Sequence, residues 1–154
     1  MDEKHYTATG IATRLARLRG LADESILLRT VRYWASTGLL KPTGRVFTGK
    51  GKNRIFAPQE FVRAEILLEL SRWGAPVGIL HAAMKALSAL AEHTVKGDDL
   101  VLLMKKHASG LLIFEGKMRP DGELEIHARI REKVTGIRAS ALIINLAVLR
   151  PPIE

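Results

Sequence analysis

Near the start of the chain, apolar residues recur every three or four positions, which is the spacing of one face of an α-helix. Ile11, Leu15 and Leu18 predict a short first helix, which we expect Gly20 to end. The next stretch also fits a helix. With about 100° of rotation per residue, its apolar residues fall within one arc of about 120° on the helix surface. They are Leu27, Leu28, Val31, Trp34 and Ala35. The pattern predicts two short amphipathic helices that need a further element to complete a core.

The opposite side of the second predicted helix is polar. It carries Ser25, Arg29, Arg32, Tyr33 and Ser36. One side of this helix is therefore predicted to be buried, and the other is predicted to contact something polar.

Turn-forming residues replace the helical pattern after Gly38. They flank two apolar pairs, Val46-Phe47 and Ile55-Phe56, which predict the strands of a hairpin. From Lys41 to Arg54 the segment holds five Lys/Arg and no acidic residue. A charge run alone is more often a solvated surface than a binding site. Its place directly after a helix with arginines on its polar side favours binding, and the arrangement predicts a winged helix-turn-helix.

Two longer helices are predicted after the hairpin. The first begins near Pro58, and its expected apolar stripe is Phe61, Ile66, Leu67, Leu70 and Trp73. Gly74-Ala75-Pro76 ends it, and a second helix over 77–95 carries Val77, Leu80, Met84, Leu87 and Ala91. Such a stripe more often belongs to the protein's own core. The length of this helix, roughly five turns, also leaves packing against a second copy open.

The last part of the chain predicts a short helix at 100–107, a strand at 110–115 and a turn at 119–122. Residues 123–130 alternate strictly between apolar and polar, as in a half-buried antiparallel strand. The apolar run 139–149 fits a buried helix or a doubly buried strand, and we favour the strand because it follows a hairpin.

These elements predict a mainly α fold with small β elements, in the α+β class. We expect a winged helix-turn-helix domain at 1–75, a connecting or dimerisation helix at 76–96 and a small α+β domain at 97–154. Dimerisation by sheet or core sharing through Ala139–Leu149 is a further hypothesis.

The chain has 154 residues, of which 47% are hydrophobic, and it has no cysteine. The lack of cysteine excludes disulfides and thiolate metal sites. The first residues hold no apolar signal core, and no stretch approaches the roughly 18 apolar residues of a membrane helix. We therefore expect a cytoplasmic protein that does not contact membranes.

The net charge is +8, and it is unevenly distributed. Residues 1–75 carry 13 Lys/Arg and 7 Asp/Glu, whereas residues 76–154 carry 11 and 9. An excess in the first half is expected if that half binds a polyanion, but a generically basic soluble protein explains it equally well.

Motifs for catalysis are missing: the sequence has no Ser-His-Asp spacing, phosphate-binding loop or HExxH. His81, His93, His107 and His127 are scattered, so surface or packing roles are favoured over a zinc site. Asp98-Asp99 is interpreted as a helix cap. We expect no enzymatic activity, no cofactor and no metal.

The order of elements and several motifs resemble the MerR-type winged helix-turn-helix regulators. That family carries Arg-Tyr-Tyr-Glu and then Gly-Leu-Leu-x-Pro. Here the residues are Arg32-Tyr33-Trp34-Ala35 and Gly38-Leu39-Leu40-Lys41-Pro42. The family's wing motif Gly-Tyr-Arg-x-Tyr corresponds to Lys52-Asn53-Arg54-Ile55-Phe56, and Gly74 ends the next helix. The resemblance covers residues 7–90.

The chain departs from the family pattern at three points. Ala35 stands where the family has Glu. Lys52-Asn53 replaces the Gly-Tyr of the wing, which substitutes charge for an aromatic phosphate contact. The lead-in from Glu24 to Leu28 is longer than is usual in the family.

The resemblance implies that Arg32 and Tyr33 contact DNA from the recognition helix and that Arg54 contacts it from the wing. It also implies a two-fold dimer on a pseudo-palindromic site. Excisionase-like architectural proteins share the pattern, so a DNA-bending or protein-recruiting module is the alternative.

The candidate DNA contacts lie on the polar side of the helix and in the basic hairpin. The phosphate contacts are Arg29, Arg32, Arg45, Lys50, Lys52 and Arg54, and the base-reading residues are Ser25, Arg29, Thr30 and Tyr33. Asn53 completes the candidate site. The alternative role of Tyr33 is that of a partly buried packing residue, and Trp34 is expected in the core. The expected function is a transcriptional regulator that binds double-stranded DNA as a homodimer at a palindromic operator; no effector ligand can be named.

Overall fold

The computed structural model describes residues 6–21, 23–43, 54–95 and 99–133, together with the backbone of 141–145. By its internal contacts the chain divides into two compact units, Met1–Glu65 and Ile66–Glu154, and each is described by itself. The described residues mix helices with two small three-stranded sheets, which confirms the predicted α+β class. The three functional regions predicted from the sequence are not tested by this division.

The elements follow one another in an order close to the predicted one. They are β1 Tyr6–Thr7, α1 Ala8–Arg19, α2 Glu24–Ser36, β2 Pro42–Thr43, β3 Ile55–Phe56, α3 Pro58–Arg72, α4 Val77–Thr94, α5 Leu100–Lys106, β4 Leu111–Met118, β5 Leu124–Arg131 and β6 Ala141–Asn145.

Both helices of the first motif have defined ends. Thr7 caps α1, because its side-chain oxygen accepts the N–H of Gly10 at 3.0 Å. Gly20 ends α1 in the left-handed conformation at φ 62°, which favours glycine because it has no Cβ. Asp23 caps α2, and Gly38, at φ 78°, follows its C-terminus. These ends agree with the turn residues that the sequence placed there.

The predicted division of α2 into two faces is confirmed on its buried side. Leu27, Val31, Trp34 and Ala35 are buried, and Leu28 is half-buried. After the helix, the N–H groups of Leu39 and Leu40 donate to the carbonyl of Trp34 at 2.9 and 3.1 Å, and both leucine side chains are buried. The end of α2 is thus locked into the core by backbone and side chain together.

The first sheet has β3 in its centre, between β1 and β2, and both pairings are antiparallel. Phe56 pairs with Tyr6 on one side and with Pro42 on the other. The predicted strand at Ile55-Phe56 is therefore confirmed, whereas Val46-Phe47 lies outside the described residues. Tyr6–Thr7 was not predicted as a strand, because two residues are too short to show an alternating pattern.

Helix α3 is buried on every side from Glu60 to Leu68 and does not present a single apolar stripe. Three charged residues are among the buried ones: Glu60, Arg63 and Glu65. The expected stripe was wrong at its last position, because Trp73 follows the end of the helix and is 69% exposed. The sequence pattern misled because it assumes that charged positions face the solvent.

The carboxylate of Glu60 joins α3 to the segment that follows α2. One oxygen, Oε2, accepts the backbone N–H of Lys41 at 2.8 Å, and the other, Oε1, lies 3.1 Å from Nε of Arg63. Both side chains of this ion pair are at least 95% buried. Because Lys41 precedes β2 and α3 follows β3, one side chain fixes the position of the backbone at both ends of the basic segment.

The second unit contains the other helices and the second sheet. Leu80, Met84, Leu87 and Ala91 of α4 are buried as predicted, whereas Val77 at its first turn is exposed. In the sheet β4 lies between β5 and β6, with antiparallel pairing on both sides. The predicted strands at 123–130 and within 139–149 are confirmed. The apolar side of β5 is less buried than its alternation predicts, since Leu124 is exposed.

Replacing Glu60 tests this anchor. We expect Glu60→Ala to lower the free energy of unfolding by about 3–5 kcal/mol, because it breaks a buried ion pair with Arg63 and removes the acceptor of the Lys41 N–H. Glu60→Gln is the matched control: it keeps an acceptor for Lys41, and so should lose less. Urea denaturation followed by circular dichroism measures both. A loss below about 1 kcal/mol in Glu60→Ala, the range of an exposed ion pair, would contradict the assignment.

Candidate nucleic-acid interface

Helix α2 presents most of the predicted contact residues on its exposed side. Ser25, Arg29, Arg32 and Tyr33 are exposed, and Thr30 is half-buried. Tyr33 is 48% exposed, which argues against a purely packing role. Trp34, the next residue, is buried at 2% exposure in the core, as the sequence predicted. The buried side of α2 therefore holds the helix in place while the exposed side remains accessible.

Two hydroxyl groups of α2, those of Ser25 and Thr30, are used in hydrogen bonds within the helix and its cap. Oγ of Ser25 donates to Oδ1 of Asp23 at 2.6 Å, and Oγ1 of Thr30 donates to the carbonyl of Ile26 at 2.9 Å. A hydroxyl has one proton to donate, so both side chains retain only their accepting capacity. Ser25 can then accept from the amino group of a cytosine or an adenine, but it has no proton left for guanine.

Asp23 is held in its charged form. The largest cause is the hydrogen bond from the side chain of Ser25, followed by the backbone N–H of Ile26, and together they lower the pKa of Asp23 below its ordinary value of 3.8. The charge of Arg29 contributes in the same direction. The cap therefore stays ionised at neutral pH and complements the positive end of the helix dipole.

The two arginines of this face differ in their surroundings. Arg29 interacts electrostatically with Asp23, six residues before it. Arg32 makes no hydrogen bond or ion pair with any residue that the structure describes. An exposed guanidinium offers five N–H donors in a planar fork, which suits phosphate oxygens and the acceptor edge of guanine.

Arg14 has a structural role that the sequence did not show. Its guanidinium carbon lies 4.8 Å from the centre of the Phe61 ring, and Nη1 donates to the hydroxyl of Tyr6 at 3.0 Å. The Tyr6 and Phe61 rings are stacked at 5.7 Å. Arg14 thus fastens α1 to β1 and to the start of α3, through a cation–π contact. It is bound in place and is not a free basic group of the outer surface.

The hairpin part of the candidate site is described only at its base. Arg45, Lys50, Lys52 and Asn53 lie outside the described residues. Arg54 is half-buried directly before β3, and the neighbouring Ile55 is exposed. The structure therefore brings Ser25, Arg29, Thr30, Arg32 and Tyr33 together on one helix, and it places Arg54 directly before β3 in the same unit.

Ile26 and Asp23 belong to this face but were not among the predicted contact residues. Ile26 is 58% exposed although it is large and apolar. The signal for it was present in the sequence, since Ile26 falls outside the apolar arc of the second predicted helix. The signal for Asp23 was its place at the N-cap, where it also binds Ser25.

A cavity of about 580 Å³ lies in the second unit, between α4 and β5. Its walls include Lys85 and His93 of α4, Arg119 before β5, and Glu125 and His127 of β5. A carboxylate oxygen of Glu125 lies 3.8 Å from Nε of Arg119, as an ion pair, and 3.6 Å from Nε2 of His127. The size suits a small ligand, but the mixed charges single out no ligand class.

Within the described ranges, no three histidine or acidic side chains are placed to hold a metal ion. Nor does any helix of that part have the length and apolar character needed to span a bilayer.

Comparison with protein-family models gives no match for this chain, and comparison with curated proteins gives none either.

The cap of α2 predicts a specific pH effect. Because the folded-state pKa of Asp23 is lowered, its carboxylate stabilises the fold above the ordinary value of 3.8, and this is lost as the pH falls through the lower folded-state pKa. Asp23→Asn accepts the same N–H bonds but does not titrate. We expect the difference in urea midpoint between the two proteins to shrink from pH 5 towards pH 2, since the other carboxylates are common to both. A difference that is constant over this range would contradict the assigned cap.

Proposed function

We propose that this protein is a DNA-binding transcriptional regulator of the MerR type, in which α2 is the recognition helix and the segment from β2 to β3 is the wing. The observation that supports this most is the division of α2. Val31 and Trp34 anchor it in the core, while Arg29, Arg32 and Tyr33 are exposed together on its other side. A recognition helix needs both properties, because it must be rigid and still enter the major groove.

Electrostatics support the same proposal. The first 75 residues carry the larger excess of positive charge, and the basic segment between Lys41 and Arg54 contains no acidic residue. Phosphate contacts by lysine and arginine release counterions, and this supplies most of the affinity in non-specific DNA binding. The anchoring of Lys41 by Glu60 gives the base of the proposed wing a fixed position beside the core.

The proposal includes a homodimer at a palindromic operator, since the resemblance on which it rests implies two-fold symmetry. It assigns no catalytic role, no cofactor and no metal to the chain. The alternative, an architectural or protein-recruiting module, would use the same helix and wing. Selection of random duplex DNA distinguishes the two, because a regulator should enrich a two-fold site with half-sites about 34 Å apart or a multiple of that distance.

Removing one exposed arginine tests the interface. We expect Arg32→Ala to weaken DNA binding and to reduce the slope of log K against log salt by about 0.9, which corresponds to one lost phosphate contact. Arg119→Ala is the control, because it removes the same charge from an exposed turn in the second unit. Fluorescence anisotropy at several salt concentrations measures both slopes. Equal slopes for the two variants would contradict the proposed role of α2.

A further inference from the structure

The exposed side of α2 contains an apolar stripe. Ile26, Thr30 and Tyr33 are spaced by four and three residues, so they follow one another along a single line of the helix. Ile26 and Tyr33 are 58% and 48% exposed. The stripe begins in the first turn of the helix, which is the end that contacts base edges in helix-turn-helix proteins.

Thr30 belongs to this stripe through its methyl group. Its hydroxyl proton is donated to the carbonyl of Ile26 at 2.9 Å, which satisfies the hydroxyl within the helix. The side chain was predicted to read bases as a polar group. In the structure the hydroxyl proton of Thr30 is already used in a hydrogen bond, so it is not available to a base. The methyl group, which serine lacks, remains as the group that can contact one. Ile26 and Thr30 therefore present neighbouring aliphatic groups, one turn apart.

An apolar stripe of this kind has one matching group in the major groove. Thymine carries a C5-methyl group there, whereas every other major-groove mark of the four bases is a hydrogen-bond donor or acceptor. Cytosine has only a hydrogen on C5, so at the same place it offers no methyl group for the stripe to bury, and its amino group stands where thymine has the O4 acceptor.

We propose that Ile26, together with the methyl group of Thr30, reads the C5-methyl of a thymine in each half-site. This inference rests on the proposed function, and it adds the base that the recognition helix selects. Arg29 lies three residues after Ile26 and is exposed, so the base that it contacts should be close to this thymine. Arginine most often reads guanine, and the half-site should therefore combine a thymine with a nearby guanine.

Deoxyuridine provides the direct test, because it lacks only the methyl group of thymine and keeps the same hydrogen-bonding groups. In the duplex selected by the full-length protein, each thymine of one half-site is replaced in turn. We expect one replacement to weaken binding about fourfold, the effect of removing one buried methyl group from a contact. In Ile26→Ala the same replacement should have a clearly smaller effect, because only the Thr30 methyl remains, while the other positions keep their wild-type sensitivity.

Two controls make the result specific. Leu124→Ala removes another exposed aliphatic side chain, from the second unit, and should retain the wild-type response to deoxyuridine. Ile26→Ala should fold normally, because Ile26 is exposed and alanine favours helix, and circular dichroism verifies this.

The outcomes separate the inference from the function on which it rests. A wild-type protein that binds DNA but does not distinguish thymine from deoxyuridine at any position overturns the inference and leaves the proposed function intact. The same conclusion follows if Ile26→Ala keeps the sensitivity. Absence of any salt-dependent binding by the wild-type protein overturns both.

Discussion

A buried carboxylate holds the first unit in register. Glu60 binds the backbone of Lys41 with one oxygen and pairs with Arg63 through the other, and both side chains are almost fully buried. An isolated buried charge would be very costly, so the carboxylate is tolerated only because both of its oxygens have partners. This requirement fixes the chain where α2 ends and where α3 begins, and the short strands β2 and β3 are held between these two points. A two-residue strand pair could not hold its own position in water.

The orientation of α2 depends on the same core. Trp34 contributes its ring to the interior and its carbonyl to the N–H groups of Leu39 and Leu40, so the helix and the chain after it are fixed by one residue. Its opposite side can then carry exposed arginines, and even an exposed isoleucine, without loss of stability. Such a surface combines positive charge with apolar groups, and the proposed partner, duplex DNA, combines phosphates with thymine methyl groups in its major groove.

Where an element has a local signal in the sequence, that signal was sufficient to predict the element. The period of Leu27, Val31 and Trp34 predicted both faces of α2, and Gly20 and Gly38 marked helix ends that require positive φ. The sequence failed where tertiary contacts decide. Nothing in the pattern showed that charged residues of α3 would be buried, or that Trp73 would be exposed. The site was predicted as polar residues on one helix and in a basic hairpin. The hydrogen bond by which the Thr30 hydroxyl donates to the Ile26 carbonyl depends on atomic geometry that no spacing reveals.

The central claim is that the exposed side of α2 binds duplex DNA, and chemical-shift mapping tests it most directly. The protein, labelled with ¹⁵N, is titrated with a short duplex at low salt, and the backbone amides are followed. We expect the largest shifts in the first turns of α2, around Ser25 and Arg29, and near Arg54, with little change along β4 and β5. Shifts confined to β4, β5 and the cavity beside α4, or no shifts at all, would contradict the account.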